Sequence, residues 1–133
     1  MKEDTAYHYD PDSEVPAEHW LSLDEFERIA LVEDYHKRTK VELPNRRLHA
    51  AFHAIVETQI AEGKETEAAA TLARLLSEGI DRHEAIHAIG DTLASHVYEL
   101  QNGRVTGAPN KIYSKRLREL TVSSWLEKRK ETS

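Results

Sequence analysis

Two stretches of this chain set histidines at a spacing that suits a metal ion, "HAAFHAIVE" at residues 49–57 and "HEAIHAIGD" at residues 83–91. Laid over each other with a shift of 34, they agree at His49/His83, Ala51/Ala85, His53/His87, Ala54/Ala88 and Ile55/Ile89, and each closes on an acid, Glu57 or Asp91. Side chains four apart share a helix face, drifting by only about 40° per step. His49, His53 and Glu57 therefore form one polar stripe, and His83, His87 and Asp91 form a second.

Imidazoles at this spacing can jointly hold a divalent cation, and a facing pair completes the coordination. Four histidines and two carboxylates also suffice for two ions, each helix giving two nitrogens and an oxygen. Zinc, iron, manganese and nickel all suit such a donor set, and the residues do not choose among them. The competing reading is structural: histidines bonded to carboxylates across a helix interface, fixing the packing register. "HEAIH" is also a literal H-E-x-x-H, the helix of zinc proteases in which the glutamate is the general base. That reading is set aside, because the motif opens in the first turn of its helix, Glu84 has a place in a capping box with Asp81, and no Gly-x-x-His follows.

The elements that must position these side chains are all helical. Phe52, Ile55, Val56 and Ile60 flank the first stripe, and Ile86, Ile89, Leu93 and Val97 flank the second, so each borders a face that must be buried. Gly90, level with Val56 in the repeat, would permit a close approach of the two helices. Ser22 and Glu25 form a capping box that opens a first helix over about 22–39. Asn45 caps a second, which runs to Glu62-Gly63, and a third, "KETEAAATLARLLSEG", ends at Gly79. Asp81 caps a fourth that stops at Asn102-Gly103, and a fifth spans about 110–129. His96 lies on the far side of its helix from His87 and faces elsewhere; His36 reaches the cleft only if the first helix crosses it. No segment alternates with a period of two for long enough to be a strand. The expected architecture is all-α, a compact bundle of four to five helices in a single domain, with residues 1–18 a loosely ordered acidic arm and 19–129 the helical core.

Composition narrows the partners. At 133 residues the chain suits one core, and 39% hydrophobic with 32% charged residues suits a soluble helical protein. No apolar run spans a membrane and no signal peptide is legible, which points to a cytoplasmic location; the absence of cysteine agrees and removes thiolate ligands. A net charge of −6 argues against a dedicated nucleic-acid binder. The charge is uneven, since residues 1–34 carry eleven acids against Lys2 and Arg28, while residues 111–131 carry seven Lys or Arg against three Glu. Solvated helix faces explain most of that asymmetry.

The segments "LHAAFHAIVETQ" and "RHEAIHAIGDTLASHVYEL" resemble a family of small bacterial helical proteins known as domain of unknown function 1841, over about residues 45–101. The resemblance implies a helical fold and points to the paired histidines and Asp91. It implies no substrate. Two functions are therefore expected from the residues. The first is a mono- or dinuclear metal centre on His49, His53, His83 and His87, with Glu57 and Asp91 as further ligands or as supports that bond the ligands, carrying out metal-assisted hydrolysis if it is catalytic. The second is a metal-free interaction module with structural histidines, whose partner is another protein or a second copy of the chain.

Overall fold

The computed structural model describes residues 7–40, 45–63, 66–105 and 107–132. Seven helices and no strand occur among them: α1 (Ala17–Ser22), α2 (Glu25–Arg38), α3 (Arg46–Ala61), α4 (Glu67–Ser77), α5 (Arg82–Gln101), α6 (Pro109–Glu119) and α7 (Val122–Thr132). The all-α expectation holds, but the count of four to five is exceeded at both ends.

At the N-terminal end, Ser22 closes a helix instead of opening one: its hydroxyl donates to the His19 carbonyl at 2.6 Å, and Leu23 is extended. The capping box sits two residues later, on Asp24 and Glu27, whose side chains each accept from the other's backbone N–H. At the C-terminal end, the helix expected over 110–129 breaks at Leu120-Thr121. Thr121 Oγ1 accepts from the Ser124 amide at 3.0 Å while Ser124 Oγ accepts from the Thr121 amide at 3.1 Å, a reciprocal cap that restarts the chain as α7. Arg74 covers the end of α6, donating to the Leu117 carbonyl at 2.9 Å and the Leu120 carbonyl at 2.5 Å. Asn45, Thr66 and Asp81 cap α3, α4 and α5. Gly79, at φ 111°, takes the left-handed turn that ends α4.

The described part of the acidic arm is not loosely held. Tyr9, Pro11 and Val15 are buried, because an irregular segment can bury apolar side chains without helical spacing. Two arginines hold its backbone: Arg38 donates to the Tyr9 carbonyl and Arg82 to the Pro11 carbonyl, both at 3.0 Å. Residues 1–6 lie outside the described residues.

Two apolar clusters meet on α3. Ala50 and Ala54 face Tyr9, Val15, Trp20, Ile29 and Val32 on one side. Val56 joins Leu72, Leu75, Ile86, Ile89, Leu93 and Leu117 on the other. Trp20 is fastened to α3 through its indole N–H, which donates to Thr58 Oγ1 at 3.1 Å. The consequence for function is positional: α3 runs between α2 and α5, and polar residues of all three helices converge along one seam. Among the described residues no helix is long and apolar enough to cross a membrane.

Candidate metal centre

Five imidazoles line that seam. His36 comes from the last turn of α2, His49 and His53 from α3, and His83 and His87 from α5. Ring centroids are 4.9 Å apart for His36 and His49, 5.1 Å for His49 and His87, 5.5 Å for His53 with either His83 or His87, and 4.3 Å for His83 and His87. The rings form two groups of three, His36 with His53 and His83, and His49 with His53 and His87; within each group one nitrogen per ring lies within 4.8 Å of the others. Around one tetrahedral ion with bonds of 2.0–2.1 Å, nitrogens sit about 3.3 Å apart.

Four of the five rings carry buried nitrogens without partners. His53 is unbonded at both Nδ1 and Nε2, and His36 Nδ1, His83 Nε2 and His87 Nε2 are also bare. A buried polar atom left unpaired costs roughly 1–3 kcal/mol, so such a cluster needs a physical reason. Burial and mutual repulsion favour the neutral form of His36, His49, His53 and His87, the state in which an imidazole nitrogen can ligate. Burial first, then His49 and His83, lower His36 to about 4. Burial, then His83 and His49, lower His87 to about 3. His49 is lowered mainly by burial, and His53 well below its ordinary value by burial and all four neighbours.

The four histidines of the repeated phrase are thus brought together, whereas the two acids expected beside them are engaged elsewhere. Glu57 is fully buried, and both of its oxygens are committed. Oε2 accepts from Tyr9 Oη at 2.5 Å and from Arg82 Nη1 at 2.8 Å, and Oε1 accepts from Arg82 Nη2 at 2.8 Å. A second step of 40° turns Glu57 about 80° from His49, toward Arg82 at the start of α5. Asp91 accepts from Lys128 Nζ at 2.5 Å and stands at the rim. Neither acid belongs to either three-histidine group.

A cleft of about 340 Å³ opens beside one group, lined by His49, His53, His87, Asp91, Trp125 and Arg129 among others. Glu84 also reaches it. The Glu84 amide donates to Asp81 Oδ1 at 2.8 Å, as expected of the cap, but its carboxylate does not turn back to close a capping box. Instead it accepts from Trp125 Nε1 at 2.7 Å and from Arg129, tying α5 to α7. The close approach expected at Gly90 is ordinary: a Cβ there would lie 3.9 Å from Val56 Cγ2. His96 stands apart, buried against Tyr113 with ring centroids 5.4 Å apart.

His36 is the member of the cluster that the repeat does not contain, although a signal for it existed. Ile29, Val32 and His36 fall at i, i+3 and i+7, so the histidine continues the buried stripe of α2. Tyr9 carried no such signal, being in an irregular segment. No protein-family model, curated protein or solved structure matches this chain.

Proposed function

We propose that this protein binds a divalent transition metal on His36, His49, His53, His83 and His87. The observation that carries the reading is the convergence of five imidazoles from three helices, four of which, His36, His53, His83 and His87, hold buried nitrogens with no partner within the protein. Nitrogen-only donation suits zinc, copper, nickel or iron and disfavours manganese, which prefers oxygen ligands. Glu57, Tyr9 and Arg82 act as a rigid support beneath His53: Tyr9 packs edge-on against its ring at 5.4 Å. The resemblance to domain of unknown function 1841 belongs to the same proposal, spanning the four repeated histidines and leaving His36 outside.

The cleft beside His49, His53 and His87 supports a hydrolytic role. An ion held there by three histidines acidifies water and polarises a substrate oxygen. Asp91, half-exposed on the same cleft, is the carboxylate positioned to accept a proton, and Phe52, Ile86 and Trp125 shield the floor. Elemental analysis of protein made without an affinity tag tests the reading. Stoichiometric transition metal is expected; none after growth and dialysis with zinc, iron, copper and nickel would overturn it and leave a helical interaction module with structural histidines.

A further inference from the structure

Resting on that metal-binding reading, we infer that the centre holds two ions and that His53 bridges them through its two ring nitrogens. The five imidazoles do not form one shell. They divide into two sets of three, and His53 is the single residue common to both. One ion can take only one nitrogen of an imidazole, because the two lone-pair directions diverge from opposite edges of the ring. In ordinary metal sites the second nitrogen donates its proton to a carboxylate or carbonyl, which fixes the ring. His53 has no such acceptor. Both of its nitrogens are buried and bare, unlike those of His36, His83 and His87, where one nitrogen each is bare. The nearest buried carboxylate, Glu57, is saturated by Arg82 and Tyr9 and faces away from this task.

The two sets also differ in access, which gives the ions different characters. His36 and His53 are each only 3% exposed, so the set they form with the half-buried His83 is the more enclosed of the two. The set formed by His49, His53 and His87 borders the cleft. The inner ion is structural, locking α2, α3 and α5 together, and the outer ion is the one that meets a substrate. Bridging balances as follows. The first ion takes the lone pair of the unprotonated His53 nitrogen. Binding of the second forms a metal–nitrogen bond at the other nitrogen, the N–H bond there breaks, and the proton passes to solvent. The anionic ring that results lies between two cations and offsets part of their repulsion.

Copper(II) added to the metal-stripped protein reads this directly, through paramagnetic resonance and binding stoichiometry. Two ions per chain are expected, with a signal that grows over the first equivalent and declines over the second as the bridged pair couples. His36→Ala and His49→Ala should each reduce the tightly bound copper from two to one and restore an uncoupled signal. Circular dichroism of each variant establishes that it is folded. Saturation at one ion in the unaltered chain, or two ions whose signals stay uncoupled, would overturn the bridge while leaving metal binding intact. No copper, zinc or nickel bound at all would overturn the metal-binding reading itself. Copper held at the exposed His8 or His19 gives uncoupled signal, so it cannot imitate the expected result.

Discussion

Arg82 and Glu57 form a two-pronged ion pair between α5 and α3, with both N–O contacts at 2.8 Å, the carboxylate fully buried and the guanidinium 8% exposed. The pair sits directly under the histidine seam, so a residue next to His83 and a residue four after His53 fix how α3 and α5 meet. Such a pair is worth little against a well-packed apolar replacement, but breaking it from one side leaves a buried charge. Arg82→Met should therefore cost about 3–5 kcal/mol. The double variant Glu57→Leu/Arg82→Met should cost clearly less than the two single losses added together. Urea unfolding of the four proteins checks this, and simple additivity would contradict it. Glu57→Gln supplies the functional half: metal stoichiometry stays unchanged if Glu57 is a support, and falls if it is a ligand.

Acid should loosen the metal-free protein. Above about pH 6.5 the shielded histidines, His36, His49, His53 and His87, are neutral whether the chain is folded or not, and they contribute no pH dependence. Below it the unfolded chain takes up protons while the folded chain resists, down to about 4 at His36 and about 3 at His87. Stability is thus full above pH 6.5 and is lost as pH falls through this window, at about 1.4 kcal/mol per pH unit for each histidine held neutral. Melting temperatures at pH 7.5 and pH 5 should differ markedly, and His36→Gln should flatten the difference. Equal melting at both values would mean the rings are not shielded.

Gly90 carries a prediction of opposite sign. It lies inside α5 with an ordinary helical backbone, and a methyl group there would meet Val56 Cγ2 at van der Waals distance. Alanine then recovers the helix propensity that glycine forfeits, roughly 0.8–1.0 kcal/mol. Gly90→Ala should raise the melting temperature; a fall would show that the two helices need the closer approach.

What the sequence could show about this centre depended on periodicity. His49, His53, His83 and His87 were legible because a four-residue step keeps side chains on one helix face, and the repeat pointed to both helices at once. For Glu57 the periodicity left ligand and supporting partner both open, and two steps of drift bring its carboxylate to Arg82. His36 depended on how α2 crosses α3, a tertiary fact that one helix's pattern does not contain. The break at Leu120-Thr121 was written in the Thr-x-x-Ser cap, but the basic run on either side reads as one continuous helix. Tyr9 and Pro11 were hidden because an irregular segment among acids and prolines has the composition of a loose arm, whatever it covers.

Glu84 separates a peptidase from the centre described above. As a zinc-protease base, Glu84→Gln would abolish a hydrolytic activity and spare stability, since only proton transfer is lost. Here the Glu84 carboxylate instead holds Trp125 and Arg129 of α7 against the first turn of α5. Gln keeps an oxygen for the indole N–H but gives up the ion pair and the favourable charge at a helix N-terminus, together a loss of roughly 0.5–2 kcal/mol. Glu84→Ala also removes the acceptor of the Trp125 indole, a bond to a charged group worth about 1.5–3 kcal/mol. Its indole emission should then shift to the red and α7 should become more open to proteolysis, more so than in Glu84→Gln. Metal stoichiometry should be the same in both variants, because neither three-histidine group includes this residue. A peptidase activity that disappears in Glu84→Gln, with melting and Trp125 emission unchanged, would instead restore the protease reading of "HEAIH".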